Sequence, residues 1–220
     1  SDILDKLSKL KLYDIKIIGL HTHQGSGVHD YNNWIKIAEK LYSYLHHFLN
    51  IEWINLGGGF GVNQKIDFNK LSEELLKIKQ QYNIKLWIEP GRFLVAQAGI
   101  LIGKITQIKE KSGKRFLGCN IGMSNLIRPM LYNARHPIFN LTAKSDKLIE
   151  YCLVGNICES GDILEKHLLF PIDTKINDII IIANAGAYGY SMSSKYNLQN
   201  TKELVINNYI KKLPLNTLDL

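Results

Sequence analysis

His21 and His23 stand two residues apart, with Gln24, Gly25 and Ser26 directly behind them. On a strand that spacing turns both imidazoles to one face. Such a pair can ligate a metal, stack on a flat ligand, or sit satisfied at a strand end. No Cys, Asp or Glu beside it completes a ligand set, so no metal is expected. Further along, Gly57-Gly58-Gly59-Phe60-Gly61 lets backbone N–H groups come close to an anion. Val62 stands where a dinucleotide fingerprint needs glycine, and no Lys-Ser/Thr pair follows as in a P-loop. A phosphate cradle and a plain turn both fit. Glu89-Pro90-Gly91-Arg92 offers a carboxylate able to hold a protonated ring nitrogen and an arginine able to grip phosphate or carboxylate; an internal ion pair is the plainer alternative. Two further segments, Leu126 to Tyr132 with Arg128, and Cys158-Glu159-Ser160-Gly161-Asp162, set polar side chains between apolar ones, as sites and ordinary loops both do. Tyr188 follows an apolar run that can aim it.

These groups need elements to carry them. Ile15, Ile17, Ile18 and Leu20 predict a strand running into His21. Trp34, Ala38, Leu41, Leu45 and Phe48, at spacings of three and four, predict a helix after it. A second strand, 51–56, runs into the glycines; a second helix has Phe68, Leu71, Leu75, Ile78 and Tyr82 on one face; a third strand, 84–88, ends at Glu89. Three strand-to-helix units thus place polar or glycine-rich chemistry beyond the C-terminal ends of their strands. That edge is where open α/β sheets and TIM barrels bind ligands. After Gln97 the texture changes. Residues 100–108 and 178–183 read as strands with irregular segments between them, so a mostly β second domain is expected.

Composition narrows the class. The 220 residues are 45% hydrophobic and 21% charged, enough to bury a core and unlike a disordered or coiled-coil chain. The net charge of +7 comes from 27 basic and 20 acidic residues, but the lysines are scattered and the arginines are only Arg92, Arg115, Arg128 and Arg135. No basic stripe interleaved with aromatics appears, so no nucleic-acid partner is expected. The longest apolar run, 179–183, is too short to span a bilayer, so no membrane partner is expected either. Cys119, Cys152 and Cys158 are too few for a disulfide framework, and no basic-then-apolar leader opens the chain; a reducing, cytoplasmic setting is expected. The first residue is Ser1 rather than Met, which predicts a processed or truncated piece.

Taken in order, His21-Thr22-His23-Gln24-Gly25-Ser26, Gly57 to Gly61, Glu89 to Arg92, Arg128-Pro129-Met130-Leu131-Tyr132, Cys158 to Asp162 and Ala187-Tyr188-Gly189-Tyr190-Ser191-Met192 resemble the group IV, alanine-racemase-like decarboxylases that depend on pyridoxal 5'-phosphate (PLP). Among these the chain is most similar to the diaminopimelate decarboxylase family. The glutamate after Cys158 points that way, since ornithine decarboxylases usually carry aspartate there. The resemblance implies an α/β plus β fold: the C-terminal part of a TIM (β/α)8 barrel over 1–97, then a β-sandwich or barrel domain over 98–220, with 185–200 packing back on the active site. It implies a homodimer with shared active sites.

The resemblance also implies roles. His23 would stack on the PLP ring, Ser26 and Gly57, Gly58 and Gly59 would hold its phosphate, and Glu89 would pair with the ring nitrogen. Tyr188 would add a phosphate or ring contact. Arg92, also near the cofactor, would join Arg128 and Tyr132 in binding the substrate's distal carboxylate. Cys158 would lie near the reacting carbon and Glu159 on the distal ammonium, both serving the neighbouring subunit. The expected reaction takes meso-2,6-diaminopimelate to L-lysine and CO2, the last step of lysine biosynthesis. In this family the lysine that anchors PLP precedes the His-x-His segment, and a TIM barrel takes about 250 residues. The chain is therefore expected to be a C-terminal portion lacking that lysine, inactive alone. Decarboxylation of ornithine, arginine or carboxynorspermidine, and a catalytically incompetent remnant or partner subunit, are the alternatives.

Overall fold

Apolar residues at helical and strand periods settle which faces pack in the first unit of the chain. The computed structural model describes Lys6 and residues 15–48, 50–62, 65–198 and 200–206. The chain divides into two compact units, 1–94 and 95–220. In the first, β1 (Gly19–His21), β2 (Trp53–Asn55) and β3 (Lys85–Trp87) form a parallel sheet in that order. Leu20, Ile54 and Leu86 lie in register across it. Each strand is shorter than its apolar run. The pairing nevertheless continues past the regular ladder, with Thr22 N–H donating to Asn55 O at 3.0 Å and Leu56 N–H to Trp87 O at 2.9 Å. Because β1 stops at His21, His23 lies beyond the strand, and the predicted strand alternation does not orient it.

Helix α1 (Asn32–Ser43) buries Trp34, Ala38 and Tyr42 at four-residue spacing. It ends earlier than the apolar pattern predicts. Its last turn tightens into a 3-10 turn at Leu45–His47, and Phe48 is extended. Helix α2 (Phe68–Tyr82) buries Leu71 and Leu75; the Asp67 carboxylate caps its start by accepting from Lys70 N–H at 3.1 Å, and Asn83 ends it in the left-handed region. Both helices pack on Ile54, Leu56 and Phe60, and the rings of Trp34 and Phe60 stack at 4.1 Å. Fully burying side chains of this size contributes about 1.5–3 kcal/mol each. That core holds the sheet from behind and fixes where the strand ends emerge. A five-residue helix, α3 (Gly91–Val95), follows β3.

The second unit is a mixed sheet in the order β6-β9-β4-β5-β7-β8, its strands being β4 (Leu101–Lys111), β5 (Lys114–Cys119), β6 (Ile138–Asn140), β7 (Leu148–Val154), β8 (Ile163–Pro171) and β9 (Ile179–Ile182). It curls until β6 and β8 touch, making a nearly closed barrel. Ile105, Leu117, Leu126, Leu153, Ile180 and Ile182 fill its interior. One short helix, α4 (Arg128–Tyr132), interrupts the strands. The segments expected to be irregular between residues 108 and 178 contain β5 to β8, which corrects that reading. Their alternation is masked by charge on the outward positions, as in β8, where Leu164, Leu168 and Phe170 point inward past Glu165, Lys166 and His167.

Candidate functional site

In the first unit the three strand ends bring together the segments that the sequence singles out. Gly57 and Gly59 have positive φ, and a Cβ at Gly57, Gly58 or Gly59 would run into the carbonyl oxygen of Thr22, Glu89 or Gly25 respectively. Glycine is what lets the three loops meet backbone to backbone. Gly58 N–H donates to His23 Nδ1 at 3.2 Å, which puts the proton of a neutral His23 imidazole on Nε2. Arg92 Nη2 donates to Ser26 Oγ at 3.2 Å, joining a guanidinium and a hydroxyl from different loops. The Glu89 carboxylate sits at the end of β3, with Oε1 accepting from Asn55 Nδ2 at 2.7 Å and lying 3.5 Å from His21 Nε2. Asn55 is itself locked, because its Oδ1 accepts from Gly57 N–H at 2.9 Å. A buried Asn55 amide therefore ties the glycine turn to the carboxylate. Among the described residues no group of three or more His, Cys, Asp or Glu is arranged to hold a metal.

The second unit carries the remaining candidates. Arg128 opens α4 and is buried; its Nη1 donates to His136 Nε2 at 2.9 Å, while His136 Nδ1 donates to Ala183 O at 2.9 Å. The carbonyl can only accept, so the tautomer follows and the guanidinium is positioned from behind. Tyr132, the last residue of α4, is exposed. Tyr188 is exposed and held at φ 62 in the turn after β9, an uncommon conformation for a bulky side chain. Backbone bonds from Ala185 N–H to Gly99 O and from Gly186 N–H to Ala96 O hold that turn in place.

Cys158 and Glu159 are exposed on the loop between β7 and β8. Asp162 anchors that loop from within: its Oδ1 accepts from Met123 N–H at 2.6 Å and its Oδ2 from Ile157 N–H at 2.9 Å. Glu159 Oε1 accepts from Tyr196 Oη–H at 2.7 Å, and Cys158 Sγ accepts from Asn197 Nδ2 at 3.5 Å. The Glu159 carboxylate, by hydrogen bond and charge, pushes the Tyr196 phenol above its usual range.

Sequence reasoning missed Asn55, His136, Asp162, Tyr196 and Asn197. The amides and His136 carry no spacing that marks them, and Asp162 and Tyr196 lay inside quoted segments or beside them without an assigned partner.

The family described as pyridoxal-dependent decarboxylase, C-terminal sheet domain, matches residues 11–186. The chain belongs to this family, as its motifs led one to expect. Its relatives are more specific still: a diaminopimelate decarboxylase of Aquifex aeolicus is 33% identical over 218 residues, covering 92% of this chain and 50% of its own length. Diaminopimelate decarboxylase from Helicobacter pylori, solved with L-lysine, shares 31% identity at a TM-score of 0.75, over 89% of this chain and 51% of that one. The M. jannaschii enzyme, also solved with L-lysine, shares 28% at a TM-score of 0.75, over 87% of this chain and 48% of that one. The chain spans about half the length of the curated relatives it matches.

The family's cofactor is PLP, and the residues present fit it. An anionic phosphate suits the Ser26–Arg92 pair and the close-packed Gly57 to Gly59 backbone. A protonated ring nitrogen suits a carboxylate oriented by Asn55.

Proposed function

We propose that the protein decarboxylates meso-2,6-diaminopimelate to L-lysine with PLP, and that its first unit holds the cofactor while its second supplies groups for the substrate. The observation that carries this reading is the identity to diaminopimelate decarboxylases across most of the chain, 33% over 92% of it for the Aquifex aeolicus enzyme. Bound PLP supplies an electron sink for the pair left on the α-carbon when CO2 departs. Glu89 keeps the ring nitrogen protonated, which that sink requires, and Asn55 fixes the carboxylate's direction. His23 stacks on the ring. Ser26, Arg92, Gly57, Gly58 and Gly59 hold the phosphate, and Tyr188 adds a contact.

Arg128 and Tyr132, with Arg92, bind the distal carboxylate. A buried arginine already oriented by His136 makes a strong, directional partner for it. A substrate lacking that carboxylate forgoes this charge-assisted bond and binds less well. Glu159 binds the distal ammonium, and Cys158 holds a proton near the reacting carbon. The protein works as a cytoplasmic homodimer in which Cys158 and Glu159 serve the partner's site. Release of CO2 by the full-length protein, measured with diaminopimelate, ornithine, arginine and carboxynorspermidine side by side, tests the reading. Diaminopimelate is expected to lead in kcat/KM by a factor on the order of 100; faster turnover of ornithine or arginine would overturn it.

A further inference from the structure

Beyond the groups placed on substrate and cofactor, one segment of the second unit lies over the Cys158–Glu159 loop and touches both reactive side chains. Ser194, Tyr196 and Thr201 are each held by one turn. Ser194 N–H donates to Ser124 O at 2.9 Å, Ser124 Oγ–H donates to Tyr196 O at 3.3 Å, and Asn125 Nδ2 donates to Thr201 Oγ1 at 3.1 Å. Ser124 and Asn125 are both buried, and Asn125 Oδ1 is occupied by Gly122 N–H at 3.0 Å. Met123, in the same turn, is the residue whose N–H binds Asp162 and so anchors the Cys158–Glu159 loop. One turn thus registers two chain segments far apart in sequence.

The consequence lies in two adjacent side chains. Tyr196 reaches Glu159 Oε1 at 2.7 Å, and Asn197, its backbone at φ 53, reaches Cys158 Sγ at 3.5 Å. The left-handed conformation, which asparagine tolerates well, separates the directions of the two side chains so that each meets a different partner. We propose that Tyr196 and Asn197 are positioning residues, Tyr196 orienting the Glu159 carboxylate and Asn197 the Cys158 thiol, with the turn at residues 122–125 setting their register. All four side chains belong to one unit of one chain, so the assignment is the same whichever protomer's cofactor the pair serves. For what Glu159 and Cys158 meet, it rests on the proposed function.

In the full-length, PLP-loaded protein, Tyr196→Phe is expected to raise KM for diaminopimelate about tenfold with kcat changed less than about threefold. In a Glu159→Gln background it is expected to do little more. Asn197→Asp, which keeps the backbone preference but replaces the donor, is expected to lower kcat about tenfold with KM nearly unchanged, and to add nothing to Cys158→Ala. Additive losses in either double variant would overturn the assignment. A titration of tyrosine absorbance reads the Tyr196–Glu159 pair without turnover. Glu159→Gln is expected to bring one tyrosine's ionisation to lower pH, and the change is expected to vanish when Tyr196 is Phe. No such change would also overturn the assignment. Should another amino acid be decarboxylated in place of diaminopimelate, the substrate reading falls and the coupling is measured with that amino acid; should none be, the titration decides.

Discussion

At the scale of single residues, the chemistry depends on side chains held from behind. Glu89 is the clearest case, because Asn55 donates to it at 2.7 Å and is pinned in turn by Gly57. Asn55→Asp keeps the shape and the bond from Gly57 but sets a second carboxylate against Glu89. Two like charges at that distance raise each other's proton affinity. The expected result is PLP binding weakened about tenfold at neutral pH and partly recovered as pH falls, read by cofactor titration. Unchanged affinity would mean that Asn55 does not govern Glu89. Glu89, His23 and Ser26 were marked out by the sequence because they lie at or shortly after the end of an apolar strand run, where polar groups have no packing role. Asn55 was not. Its partner lies 34 positions away, and only the parallel register of β2 and β3 brings the two together.

At the scale of elements, the loop bearing Cys158 and Glu159 takes its shape from Asp162. The Asp162 carboxylate accepts two backbone N–H groups and fits only because residues 122 and 155 are glycine; a Cβ at either would press on it. Asp162→Ala leaves both N–H groups without acceptors, at about 1–3 kcal/mol each. A fall of about 3 kcal/mol in unfolding free energy is expected from denaturant titration, with faster proteolysis near residue 158. A loss under about 1 kcal/mol would count against the anchor. Helix α2 was readable because Phe68, Leu71, Leu75, Ile78 and Tyr82 recur at helical spacing, and the first and last of them are its two ends. Strands β5, β7 and β8 were not. The parallel pairing of β5 with β7 is nonlocal, and the outward faces of all three carry Lys, Arg, Glu and His that blur the apolar alternation.

At the scale of the whole molecule, two separately packed cores support two sets of chemical groups. The sheet core of the second unit has a built-in alkaline limit. Burial pushes the Cys119 thiol from 9.0 up to about 12, while its Sγ–H donates to Ile121 O at 3.1 Å. The folded chain keeps that proton where the unfolded chain has lost it, so the thiol's contribution is complete below pH 9.0 and is lost as pH rises toward 12. Relative to Cys119→Ala, the wild type is expected to lose about 1.4 kcal/mol of unfolding free energy per pH unit across that interval. Parallel pH profiles would refute it. The order of polar segments along the chain disclosed the family; how the second sheet curls on itself emerged only from its register.

The seat proposed for the PLP phosphate is formed by the loops after β1, β2 and β3. Its most direct test is a PLP titration of the full-length protein beside the Ser26→Ala/Arg92→Met double variant, with thermal unfolding of both as a control. Saturable binding of one PLP per chain is expected in the wild type, and affinity lower by a factor on the order of 100 in the variant, which loses a charge-assisted bond and a hydroxyl partner while unfolding at nearly the same temperature. Equal affinity in the two proteins would contradict the account.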